Sequence, residues 1–217
     1  MDLYALARGP FAWVALSVFV LGSLFKILSH VFLGKREKIL YPAMTFTNSL
    51  RSILHGIVPF GAAYMRKRPV FTIVAFVFHC CLFVLPFFLL AHVLSWDESW
   101  QISWWSIPDS LADKLTILVI LCGVFFLVRR LVVPEARKVT QGLDWLLLTI
   151  VMLPFLTGFL AYHQWGPYKP LLILHILSGE LLLIAIPFSR LSHMLLFIFT
   201  RAHMGSEFGK VLESRDW

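Results

Sequence analysis

The chain has 217 residues, 59% of them hydrophobic and 14% charged, with a mean hydropathy of +0.81. A water-soluble domain of this length has no interior large enough for so much apolar surface, so the composition is that of a polytopic membrane protein. The formal net charge of +7 follows from where the basic residues fall between apolar runs, and calls for no nucleic-acid partner.

The amino-terminal MDLYALARGP lacks the basic stretch and small-residue cleavage site of a secretory signal, so the first apolar run, Phe11–Leu33, is expected to stay as a membrane span. The basic segment Gly34–Pro69 follows, with Lys35, Arg36, Lys38, Arg51, Arg66, Lys67 and Arg68. Within it Leu50, Ile53, Leu54 and Ile57 recur at helical spacing and predict an amphipathic helix over Thr47–Ile57, lying along the membrane surface. The second run, Val70–Leu94, carries His79, Cys80, Cys81, Pro86 and His92. An acidic, Trp-rich stretch with Asp97, Glu98, Asp109 and Asp113 leads to the third run, Leu111–Val133. Its clean apolar core is Leu115–Val128, and snorkelling of Arg129 and Arg130 extends it. Arg137 and Lys138 precede the fourth run, Leu143–Tyr162. The fifth, Leu171–Phe199, holds His175, Gly179, Glu180, Arg190 and His193.

Fifteen of the nineteen Lys and Arg lie in the first and third connections and at the end of the chain, beginning with Arg190, whereas the opposite loops are acidic. The expected fold is therefore an all-α, single-domain bundle of five transmembrane helices, with the N-terminus outside and the C-terminus cytoplasmic. The cytoplasmic portions are too short for a catalytic domain, so any chemistry belongs to the membrane or to another subunit.

The three cysteines all fall inside apolar runs. There is no CxxCH for covalent haem and no paired CxxC for zinc or an iron–sulfur cluster. The eight histidines form no HxxxH or HExxH box; the closest pairs are ten and twelve residues apart. What remains is histidine placed singly on different helices, the arrangement by which a helical bundle ligates haem. His175 and His193 are eighteen residues apart. In one continuous helix that is five whole turns, which puts both on one side and about 27 Å apart along the axis, close to the hydrocarbon thickness. Antiparallel pairing with the second helix matches His79 with His193 near the inner face and His92 with His175 near the outer face. Thirteen residues turn a regular helix by about 220°, so His79 and His92 share a face only if Pro86 kinks or unwinds the helix between them.

These residues resemble a known family. HILSGELLLIAIPFSRLSH at 175–193, RRLVVPEARKVTQGLDWLLL at 129–148 and the FH at 78–79 are similar to the gamma subunit of respiratory nitrate reductase, a five-helix di-haem cytochrome b. They are more similar still to its relatives in heterodisulfide-reductase-like and sulfate-reducer transmembrane redox complexes, to which FTRAHMGSEFG at 199–209 also points. Carried to matching positions, the resemblance implies two b-type haems whose axial ligands are His79, His92, His175 and His193. The separation of His79 and His92 is longer than the nitrate-reductase pattern. The resemblance also implies a prokaryotic cytoplasmic membrane, menaquinone or another quinone as exchangeable substrate, and a cytoplasmic iron–sulfur subunit as partner. Lys114 matches a lysine at the outer start of the family's third helix, and with His163 and Lys169 it forms the candidate quinone site.

Other residues admit two readings each. Gly179, one turn after His175, either lets a macrocycle edge approach the backbone or serves close helix packing. Arg190 either pairs with a haem propionate or snorkels to the interface. Glu180 either makes a structural hydrogen bond or relays protons. His163 is a quinone-site acid/base, a substitute for His92, or an interfacial histidine. His30, His55 and His203 are read as structural. The alternative to an electron-transfer subunit is a small transporter or channel using histidines and Glu180 as a proton or metal path, for which Pro86 and Pro154 are the available breaks.

Overall fold

The structure, a computed structural model, describes residues 2–34 and 44–214, and among them no strand occurs. Lys35, Arg36, Lys38 and Arg215, which enter the charge pattern above, lie outside the described residues. The main helices are α1 (Leu3–Leu33), α2 (Phe46–Ile57), α3 (Pro69–Phe88), α4 (Leu90–Trp100), α5 (Asp109–Val132), α6 (Gly142–Tyr162), α7 (Tyr168–Phe188) and α8 (His193–Ser206). Five of them, α1, α3, α5, α6 and α7, are long and apolar enough to cross a membrane, at 20 to 31 residues against the roughly 20 a bilayer requires. This is the architecture of a multi-pass membrane protein.

Three of the five spans differ from the expected boundaries. The first begins at Leu3, because Pro10 is absorbed in a wider π-helical turn at Ala7–Phe11 instead of ending the helix. The second ends at Phe88 and not at Leu94: Leu89 is extended (φ −70°, ψ 130°) and α4 starts afresh at Leu90. The fifth ends at Phe188 and not at Phe199. Ser189 is extended (φ −126°, ψ −173°) just after Pro187, its hydroxyl accepts the Leu191 N–H at 3.1 Å, and a single 3-10 turn, Arg190–Ser192, leads into α8 at His193. The helix is therefore not continuous between His175 and His193, and the five-turn register stops at Phe188.

The break at Leu89 leaves the carbonyls of Pro86, Phe87 and Phe88 without their usual i+4 donors, an expense a membrane span does not tolerate unanswered. Each finds another donor: His92 Nδ1 at 3.1 Å, Trp104 Nε1 at 2.7 Å and the Ile107 N–H at 2.9 Å, respectively. Trp105 stacks on Phe88 (ring centroids 4.3 Å), and Trp96 meets both Trp100 and Trp104 edge-on. The acidic, Trp-rich stretch is thus a folded cap on the end of α3.

Chain contacts divide the described residues into two compact units. One comprises Val74–Gly179 with the first residues of the chain, through Ala7; the other runs from Arg8 to Ile73 and again from Glu180. In the first, α5 packs on α6 with the Met152 side chain lying over Gly123. The segment at 129–148 acts as a clasp. Arg130 donates to the Asp144 carbonyl at 2.6 Å and lies over the Trp145 ring, and Gln141 and Asp144 form a reciprocal capping box at the start of α6.

In the second unit α2 packs on α8, and it does so with its polar face. Ser49 bonds the Ala202 carbonyl (3.3 Å) and the Ser206 hydroxyl (3.1 Å). Arg201 is buried and directs Nε and Nη2 to the Ser52 carbonyl at 3.2 and 3.0 Å. Gly205 and Gly209 of the C-terminal segment leave room for Asn48 and Ser52. The predicted amphipathic helix exists, but its serines face protein while Phe46, Leu50, Leu54 and Ile57 are exposed. The helix forms as expected, at Phe46–Ile57, and its polar face is taken up by protein. The reason is that Arg201, Ser206 and the small residues of α8 offer the serines better partners than solvent does.

Candidate functional site

The imidazoles of His92 and His175 face each other in the first unit, nearly parallel (6°), with ring centroids 5.9 Å apart. His92 is delivered by the first turn of α4, directly after the break at Leu89, and His175 by the second turn of α7. In both rings Nδ1 is tied to a carbonyl on another turn or helix: His92 to Pro86 at 3.1 Å, His175 to Pro154 of α6 at 2.9 Å. A carbonyl only accepts, so Nδ1 carries the proton in each neutral ring and Nε2 keeps the lone pair. This is the tautomer a metal-ligating histidine needs, with the outer nitrogen oriented by a backbone acceptor. A metal held by one nitrogen of each ring at about 2 Å sets the centroids about 6 Å apart, close to the distance found. In centroid separation and tautomer the pair suits an axial bis-histidine site.

Two further residues shape the pair. A Cβ on Gly158 of α6 would lie 3.0 Å from both Cε1 and Nδ1 of His175, so any larger residue crowds this imidazole where it reaches the Pro154 carbonyl one turn earlier. Thr157 and Ser178, both buried, complete the surroundings. Thr157 donates to the Leu153 carbonyl at 2.6 Å, Ser178 to the His175 carbonyl at 2.9 Å, and their hydroxyls approach to 3.4 Å. Sequence reasoning missed Gly158, Thr157 and Ser178. The available signal was a glycine one turn after a proline within a span. At Gly179, by contrast, an added Cβ meets nothing within 4 Å, so no close contact there requires glycine.

His79 lies in the first unit and His193 in the second. His79 is exposed on α3, its Nδ1 bonded to the Ala75 carbonyl at 2.7 Å. The preceding Phe78 is buried edge-on against Phe126 of α5. His193 is exposed at the first position of α8, with Nδ1 on the Arg190 carbonyl at 2.9 Å, and Arg190 is exposed in the turn before it. These contacts give the same tautomer as in the other pair. They are local, however: His55 of α2 makes the same contact with Arg51, so the pattern by itself marks a helical histidine and not a ligand.

The three residues expected at a quinone site do not form one cluster. His163 Nε2 contacts Asp113 Oδ1 at 2.8 Å, and its ring lies among Phe159, Tyr162 and Trp165. Lys169 bonds Asp2 at 2.6 Å, and that cation holds the Asp2 carboxyl below its ordinary range. Lys114 is exposed, next in sequence to Asp113. His163 thus has Nε2 engaged by a carboxylate, while the ring facing His175 is that of His92. Glu180 is buried, and its Oε1 has no hydrogen-bond partner among the described residues. No group of three or more His, Cys, Asp or Glu among the described residues is arranged to hold a metal ion by itself.

The chain is 35% identical over 211 residues to a protein of Nitratidesulfovibrio vulgaris strain Hildenborough, an alignment that covers 95% of this chain and 93% of the other, and it belongs to one family with that protein. The relative bears the name "Protein", which states no activity. No family model matches the chain.

Proposed function

We propose that this protein is the membrane-anchoring, di-haem cytochrome b subunit of a respiratory redox complex, which passes electrons between a quinone pool, menaquinone or a relative, and a cytoplasmic iron–sulfur subunit. The observation that carries the reading is the His92–His175 pair: two parallel imidazoles in a membrane helix bundle, 5.9 Å apart, each with Nδ1 held by a backbone carbonyl. The second ligand pair of the proposal is His79 with His193. Arg190 and the open flank of Gly179 are the residues that suit a propionate and a macrocycle edge. The orientation proposed is N-terminus outside and C-terminus cytoplasmic, in a prokaryotic cytoplasmic membrane.

A haem held by two histidines supplies one-electron transfer with no open coordination position for oxygen or substrate. The protein's part is to hold both rings in one tautomer, to keep the pair dry, and to place it at one end of the spans, where quinone in lipid has access. His163, ordered by Asp113, and the neighbouring Lys114 are the groups proposed to exchange protons with quinone; Lys169 is committed to Asp2.

The decisive experiment is a reduced-minus-oxidised visible spectrum of the purified protein. A b-type α-band with two haems per chain is expected, falling to one in His92→Ala and in His175→Ala. A protein that binds no haem when produced with haem supply overturns the proposal.

A further inference from the structure

In the second unit α2 spends its polar face on α8, and this leaves Phe46, Leu50, Leu54 and Ile57 exposed in a row, continued by Val58 and Phe60. The chain then turns back on itself. Phe60 takes a left-handed backbone (φ 63°), Gly61 is pressed against the His55 backbone so closely that no side chain fits, and Arg66 Nη1 clamps the turn by donating to the Phe60 and Gly61 carbonyls at 2.9 and 2.7 Å. The result is a shallow cavity of about 450 Å³ walled by Leu54, Val58, Pro59 and Phe60, with His55 and Arg66 at its polar end. Arg66, Lys67 and Arg68 are all exposed and stand immediately before Pro69, the first residue of a membrane-spanning helix.

We infer that Leu54–Arg68 is a binding site for an anionic phospholipid, whose acyl chain lies along Leu54, Val58 and Phe60 and whose phosphodiester is held by Arg66, Lys67 and Arg68. Three features select this ligand. The apolar row is continuous with the wall of the cavity, so its occupant is largely hydrocarbon. Three cations in succession at the entry of a span attract a negative headgroup, and a guanidinium has five N–H donors, of which those on Nη1 already serve the turn. The clamped turn is built before any ligand arrives, so little ordering opposes binding. A soluble protein docking on the same face would also cover the apolar row, but it would have no need of three cations at the membrane boundary.

The test uses the intact protein in nanodiscs and detergent. Native mass spectrometry and lipid exchange are expected to show preferential retention of phosphatidylglycerol or cardiolipin over phosphatidylcholine, a preference that weakens with salt. Lys67→Gln/Arg68→Gln leaves the Arg66 clamp intact and is expected to weaken the preference about thirtyfold. Leu54→Asn is expected to reduce retention of long-chain anionic lipid while leaving a weak response to inorganic phosphate. Equal binding of anionic and zwitterionic lipid, an unchanged preference in the double variant, or displacement of the lipid by inorganic phosphate alone would overturn the inference. So would loss of a protein partner in Leu54→Asn with lipid preference intact. Neither variant alters a residue proposed to hold haem, so the outcome is independent of the electron-transfer reading.

Discussion

The imidazole of His175 lies tight against Gly158: an added Cβ falls 3.0 Å from its Nδ1 and Cε1. The contact joins the seventh helix to the sixth and fixes which nitrogen of His175 carries the proton, through the Pro154 carbonyl. Gly158→Ala is expected to turn the ring off that carbonyl and to lower haem retention at the His92–His175 site by about tenfold or more, the usual scale for loss of an orienting contact. The count of haem per chain by pyridine haemochrome, together with the potential of the haem that remains, reads the effect. An unchanged count and potential would show that the contact is incidental.

His163 and His92 are both histidines near the same end of the spans, and they make opposite predictions. His163 is occupied with Asp113, so His163→Ala is expected to keep both haems and to slow electron entry from quinol analogues. His92→Ala is expected to remove one haem. Spectra of the two variants, measured side by side, decide between these roles.

Arg201 holds α2 to α8 through two hydrogen bonds to the Ser52 carbonyl, with little access to solvent. Arg201→Ala is expected to lose about 1.5–3 kcal/mol of local stability. Gly205→Val, which forces a side chain onto Ser52, is expected to cost about 1–3 kcal/mol. Limited proteolysis between residues 44 and 66 and thermal unfolding in detergent measure both. The visible spectrum of the haems proposed above should not change.

His30 and His203 lie ring against ring at 5.5 Å. Burial, and then the neighbouring His30, hold the His203 imidazole below its ordinary 6.5. In the unfolded chain His203 takes up a proton below about 6.5, while the folded form resists it. The stabilisation is therefore full above that pH and is lost as pH falls through the lower folded value. The thermal midpoint is expected to decline as the medium is acidified from neutrality, and His203→Phe should flatten that decline.

Much of the fold was legible because it depends on composition over long windows. Five apolar runs require five helices whatever their partners, and Pro86 announced a break. Where the helices stop was not legible. The break falls at Leu89 because Trp104 and Ile107, fifteen or more residues on, supply donors to the freed carbonyls, and Ser189 ends α7 because its own hydroxyl receives the Leu191 N–H. The spacing of His175 and His193 therefore misled: a whole number of turns has meaning only in an unbroken helix. The amphipathic stripe of α2 was also legible, but which side met protein was decided by Arg201 and Ser206, about 150 residues away. The facing of His92 and His175 was reached by antiparallel pairing of histidines, whereas Gly158, against which the His175 ring lies, carries no chemistry of its own and so drew no notice.

The sealed break after Phe88 has a mechanical meaning. Three acceptors in succession are quenched by an imidazole, an indole and an amide, so swinging the elbow open would strand each of them in hydrocarbon at several kcal/mol apiece. One of the three latches is His92 itself. The side chain proposed as a haem ligand is also a strut of the joint that aims it, so its direction is set before any cofactor arrives.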